Sequence, residues 1–297
     1  MKLALKIDVD TFRGTKTGVL PLVSLLEKMG ANATFLFSLG KDHTGWALKR
    51  AFKPGFMKKV SRTSVLEHYG LKTLLYGTLL PGPDIGRRCA KIMRSVGEAG
   101  FEVGIHTFDH VKWQNNVSGK DEKWTKREMQ AAFDRFEEIF GEPARVHGAA
   151  GWQMNPHAFR LTQKLGFHYA SDTRGSCPFI PVQNAEIIAC PQLPTTLHTL
   201  DELLGIEEDA VDHLLKISEN PGPAGHVYTL HAELEGMKLI GMFEKLLLGW
   251  KAMGYELVSL KQYFESLPGN LPRHEVIYDE IPGRAGKLAI QGAIFPC

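Results

Sequence analysis

Short apolar runs alternate with helix-period segments along most of this chain, and that alternation confines it to the α/β class. Runs that read as buried strands lie at 3–9, 33–39, 101–105, 144–149, 186–190, 227–230 and 256–258. Helical patterns lie at 19–28, 85–98, 126–140, 156–165 and 238–253. Gly30, Gly100, Gly141, Gly166 and Gly254 fall just past these segments, where a left-handed residue closes a helix. Pro21 and Pro156 fall near two helix starts. This order predicts a parallel sheet with helices outside. The first run is not followed by the glycine pattern of a dinucleotide-binding turn. About seven strand–helix units then favour a closed or nearly closed barrel over an open sheet. A chain of 297 residues suits one such domain. The expected division is a barrel over 1–267, with an inserted segment at about 41–82, and a tail over 268–297 packed on the barrel or partly mobile.

Parallel barrels gather their chemistry at the C-terminal ends of the strands. Asp8 and Asp10 end the first run, and His106-Thr107-Phe108-Asp109-His110 ends the third. One carboxylate with a His-x-x-x-His pair makes a three-ligand set that leaves a position open for water on a catalytic divalent metal. The spare carboxylate beside it suits proton removal from that water. Gly151-Trp152, Asp172 and His231 follow later runs, so several segments direct polar groups to one face.

The remaining features exclude more than they assign. A net charge of +2 gives no reason to expect nucleic acid. Cys89, Cys177, Cys190 and Cys297 lack C-x-x-C spacing and read as reduced thiols. The first residues form a strand rather than a secretion signal, and no run of about 18 apolar residues occurs, so a cytoplasmic location is expected. The segment 46–62 breaks the alternation. It carries Lys49, Arg50, Lys53, Lys58, Lys59 and Arg62 with no acid, interleaved with Trp46, Phe52 and Phe56. Such a stretch suits an anionic membrane surface or a lid over the site. Trp46, Lys49, Arg50, Phe56, Lys58 and Lys59 are the candidate lipid contacts.

Asp8-Val9-Asp10, His106-Thr107-Phe108-Asp109-His110 and Leu230-His231 together resemble the metal-dependent polysaccharide deacetylases, the carbohydrate esterases of the NodB-homology family. Further strings strengthen the likeness: Ile7–Gly14, Ala149-Ala150-Gly151-Trp152, Ser171-Asp172 with Arg174-Gly175, and Tyr228–Glu233. The resemblance implies a distorted (β/α)7 barrel that hydrolyses an amide on an amino sugar. It implies Asp10, His106 and His110 as metal ligands, Asp8 as general base, and His231 as general acid oriented by Asp172. The metal it implies is Zn²⁺ first, with Co²⁺, Ni²⁺, Mn²⁺ or Fe²⁺ also compatible with one carboxylate and two imidazoles.

The same strings imply a member that deformylates 4-deoxy-4-formamido-L-arabinose carried on undecaprenyl phosphate, serving lipid A modification and polymyxin resistance. Its expected partners are that sugar lipid and an anionic inner-membrane surface, with no protein partner inferable. The alternatives are an N-deacetylase of another glycan and an inactive, metal-retaining sugar-lipid binder. One departure stands out. Many members carry an Arg-Pro-Pro-Tyr-like segment after the fourth strand, whereas this chain reads His147-Gly148-Ala149-Ala150-Gly151-Trp152. Expected substitutes are a backbone N–H near Trp152 for the oxyanion and Arg174 for the lost charge, while the Trp152 ring is expected to pack against the sugar or to restrict the pocket to a formyl group. Glu233 is a candidate for the product amine.

Overall fold

The computed structural model describes residues 1–47, 70–222 and 224–296. The main sheet holds strands β1 (Lys2–Val9), β2 (Thr34–Ser38), β3 (Glu102–Thr107), β4 (Val146–His147), β5 (Tyr169–Ala170), β8 (His226–His231) and β9 (Glu256–Val258). Strands β6 (Ile180–Gln183), β7 (Glu186–Ile187), β10 (Arg273–Asp279) and β11 (Leu288–Ile294) form a second sheet. The main sheet is parallel, in the order β5-β4-β3-β2-β1-β8, with β9 paired to the start of β1. Between β5 and β8 an irregular stretch closes the circle. Leu193 N–H bonds the Ala170 carbonyl on one side, and Thr196 N–H bonds the Val227 carbonyl on the other. The result is the expected distorted barrel of parallel strands with helices outside.

Strand β1 is central and buried on both faces, as an almost unbroken apolar run requires. Leu3, Leu5, Ile7 and Val9 join the shell between sheet and helices. Ala4 faces inward with Leu36, Val146, Tyr169, Leu193, Val227 and Val258, which seal the barrel floor. Helix Val19–Met29 packs its Leu22, Leu25, Leu26 and Met29 into the outer shell. It ends at Gly30, whose φ of 56° is the left-handed conformation the sequence position predicts. Helices Ile85–Glu98, Glu122–Phe140, Pro156–Lys164 and Ile240–Ala252 occupy the other expected positions.

Two expectations change. The run 186–190 is not a barrel strand: only Glu186–Ile187 is extended, as a short partner of β6 in the second sheet. The barrel position is taken instead by β5 and the stretch that follows Pro191, too short and too polar for periodicity to mark. The region 268–297 contains an antiparallel pair, β10 with β11, and β10 adds alongside β6. Among the described residues no helix is long and apolar enough to cross a membrane.

Candidate active site

Asp10, His106 and His110 converge at the open end of the barrel, with one donor atom from each lying within 4.8 Å of the others. His106 lies one residue before the end of β3, and its Nε2 lies 3.2 Å from Asp10 Oδ1. His110 opens the helix His110–Asn116, whose N-cap Asp109 accepts a hydrogen bond from Lys112 N at 3.0 Å. That cap fixes the first turn and points His110 Nε2 at Asp10 Oδ2, 3.3 Å away. Burial works to raise the Asp10 pKa. The His110 and His106 rings outweigh it and hold the carboxyl well below the ordinary range. Burial likewise disfavours a charged His106, yet Asp8 and Asp10 push its pKa up. Asp10 Oδ1 is buried and accepts no hydrogen bond among the described residues. A buried carboxylate with an imidazole nitrogen at each of its two oxygens is the donor set of a divalent cation, and the three residues fit one.

Asp8 and His231 flank this set because β1 and β8 are parallel neighbours in which Asp8 pairs with His231. Both side chains point inward on the same layer. The Ala232 N–H bonds the Asp8 carbonyl at 3.0 Å and locks the two strand ends together. Asp8 Oδ2 lies 3.4 Å from Lys6 Nζ, and Oδ1 lies 3.6 Å from His106 Nδ1. The His231 backbone N–H donates to Glu235 Oε2 at 2.9 Å. Burial, only partly offset by His231, drives the Glu235 carboxyl up to about 7.

Asp201 stands beside the His231 ring, its Oδ1 3.8 Å from His231 Nδ1. Asp201 sits in the helical turn Leu200–Leu203 and accepts from Arg284 Nη2 at 3.0 Å. Arg284 Nε also donates to Glu202 Oε1 at 2.6 Å, and Arg174 Nη1 donates to the same oxygen at 2.7 Å. Burial would raise the Asp201 pKa, but Arg284 and His231 lower it on balance. The Glu202 carboxyl is also lowered, because His198, Arg284 and Arg174 outweigh its burial. The two guanidinium groups stand 4.9 Å (Arg174) and 4.8 Å (Arg284) from the Trp152 ring centre.

Several expected roles therefore move. Asp172 does not orient His231. Its Oδ1 accepts from His147 Nδ1 at 2.7 Å and Ala149 N at 2.8 Å, and Gln192 Nε2 reaches its Oδ2 at 3.2 Å. It fixes the turn after β4, and Asp201 takes the place beside His231. Trp152 does not offer its ring to a sugar: it is 1% exposed, and its Nε1 donates to Thr195 Oγ1 at 3.0 Å. Its backbone N–H is bonded to the Ala149 carbonyl and so is not open to an oxyanion. Arg174 balances Glu202 rather than standing beside Asp8. Glu233 is 1% exposed, and its Oε1 accepts from Asp10 N, Thr11 N and Thr11 Oγ1 at 2.7–3.0 Å. It braces the loop that carries Asp10 rather than meeting a product amine.

Trp46 lies in the described part of the insertion. Its Nε1 donates to the Gly77 carbonyl at 2.6 Å, and its ring stacks on His43 with centroids 4.0 Å apart. Lys49, Arg50, Phe56, Lys58 and Lys59 lie outside the described residues. The sequence reasoning missed Lys6, Asp201 and Arg284. Only Lys6 carried a signal, a lone lysine inside an otherwise apolar strand.

The family model for polysaccharide deacetylases matches residues 10–170. A curated relative from Shewanella sediminis is 35% identical over 99% of this chain and 95% of its own length. The chain belongs to the polysaccharide deacetylase family. The Shewanella relative is named "Probable 4-deoxy-4-formamido-L-arabinose-phosphoundecaprenol deformylase ArnD". A relative from Wigglesworthia glossinidia brevipalpis with the same name is 32% identical over 95% of this chain and 99% of its own. Among solved structures, a Mycobacterium smegmatis protein named provisionally as a polysaccharide deacetylase superposes with a TM-score of 0.61. Its identity is 17%, over 89% of this chain and 88% of that one, and it speaks for the fold alone.

Proposed function

We propose that this protein removes the formyl group from 4-deoxy-4-formamido-L-arabinose linked to undecaprenyl phosphate, giving formate and the free 4-amino sugar lipid. The supporting observation is the placement of Asp8 and His231 as register partners beside the Asp10, His106 and His110 donors. The likeness to the two curated relatives supplies the substrate. Asp10, His106 and His110 would hold a divalent ion, Zn²⁺ first, which would supply polarisation of an amide oxygen and acidification of a water. Asp8 takes the proton from the attacking water. His231 gives a proton to the departing nitrogen, which leaves poorly as an amide anion. Asp201, itself held by Arg284, stabilises the charged imidazole. A formate-release assay on formylated and acetylated forms of the same sugar lipid tests this reading. Formate from the first and no acetate from the second supports it; acetate release at an equal rate points to a general N-deacetylase.

The setting follows from the substrate. The enzyme works at the cytoplasmic face of the inner membrane, in lipid A modification that confers polymyxin resistance. The basic stretch 46–62 meets anionic head groups there. Leu71 and Leu79, 66% and 80% exposed just beyond it, add apolar contact. Replacing Lys49, Arg50, Lys58 and Lys59 by Gln should lower sedimentation with anionic vesicles, most at low salt. Unchanged sedimentation removes the membrane part of the proposal and leaves the chemistry standing.

A further inference from the structure

The inner face of β1 carries a fully buried lysine that the proposed chemistry does not use. Alternate residues of a strand face the same side, so Lys6 stands in the lumen one step below Asp8. It is 0% exposed. Its Nζ lies 3.4 Å from Asp8 Oδ2, donates to the Ser171 carbonyl oxygen at 3.0 Å, and lies 5.3 Å from the Trp152 ring centre. Beneath it the lumen is apolar, with Ala4, Leu36 and Val146. An ammonium in such surroundings is tolerated only where an opposite charge and acceptors meet it. Room for it depends on Gly148, where a Cβ would stand 3.1 Å from Lys6 Cε and 2.4 Å from Leu36 Cδ1. The turn after β4 thus carries no arginine, and its Gly148 leaves room for the cation supplied by β1.

We propose that Lys6 is the positioning residue for Asp8. Its ammonium holds Oδ2, which fixes the carboxylate plane. It leaves Oδ1, which accepts no hydrogen bond among the described residues, as the oxygen that receives the proton of the attacking water. The inference rests on Asp8 acting as the base.

The test uses four variants of the full chain: Lys6→Met, Lys6→Arg, Asp8→Asn and the double Lys6→Met/Asp8→Asn, each with metal content measured. Lys6→Met should lower kcat about 10²-fold, the size expected for a misplaced reacting group. KM and metal content should be little changed, and Lys6→Arg should recover most of the loss. In the Asp8→Asn background Lys6→Met should cost nothing further. Urea unfolding gives a readout independent of turnover: Lys6→Met should lower the midpoint strongly beside Asp8 and weakly in the Asp8→Asn background. If Lys6→Met does not fold, Lys6→Gln takes its place. An equal fold-loss of kcat in both backgrounds, or loss of metal with Lys6→Met, overturns the proposal while the base assignment stands. Wild-type turnover by Asp8→Asn overturns the base assignment, and Lys6 falls with it.

Discussion

The two faces of β1 are equally hidden from solvent and chemically opposite. Ile7 on the outer face is 0% exposed, and so is Lys6 on the inner one, with Asp8 at 3% and Asp10 at 7%. The outer side chains meet helices through dispersion and apolar burial. The inner ones meet one another through charge. Burial therefore does not separate scaffold from site in this barrel; the residue type at each alternate position does. An isolated buried charge is costly, so a strand that carries Lys6 and Asp8 on one face, with Asp10 just past its end, is organised around what they hold between them.

The sharpest break of this comparison is Asp10→Asn. It should abolish turnover together with bound metal, read by elemental analysis, while the far-ultraviolet circular dichroism stays native. His231→Gln should lower kcat by about 10²–10⁴-fold, the usual worth of a positioned proton donor, and leave metal content intact. Asp201→Asn should follow it in direction, whereas Asp172→Asn should show mainly as a lower unfolding midpoint, since Asp172 fixes a turn.

Ile7→Ala is the counterpart on the other face. It should cost about 2–5 kcal/mol of stability and leave kcat of the folded protein near wild type. A loss of kcat with no loss of stability would erase the contrast between the two faces. The smallest effect concerns Glu235. Burial raises its folded-state pKa to about 7, above its unfolded value, so the folded protein holds the proton more tightly. Its contribution is present below the unfolded pKa and is lost as pH rises through about 7. Urea unfolding at pH 5 and pH 8 should show a decline of the order of 1 kcal/mol or more, reduced in Glu235→Gln.

What the sequence revealed follows from how each part is built. β1, β2, β3 and β8 were legible because continuous apolar runs mark strands buried on both faces. The metal set was legible because Asp10, His106 and His110 close such runs at strand ends. β5, two residues long, is below what periodicity detects. Asp201 and Arg284 were not legible either. One lies in a four-residue helical turn and the other in the connection between β10 and β11, so neither follows a strand of the barrel. Asp172 was misread because an acid after a strand can brace a turn as readily as a catalytic ring. Only the positions of His147 and Ala149 distinguish the two.

The Arg284 contact has a bearing on synthesis at the ribosome. Asp10, His106 and His110 are all translated before residue 111, and the cation that steadies Asp201 emerges only after the whole barrel has been made. Of the two arginines at the turn 200–203, Arg174 pairs with Glu202, and Arg284, the later in the chain, pairs with both Asp201 and Glu202. Chain order thus places the ion-gripping residues well before the arginine that steadies the proton-donating side, and the hairpin is the last fastener to be made.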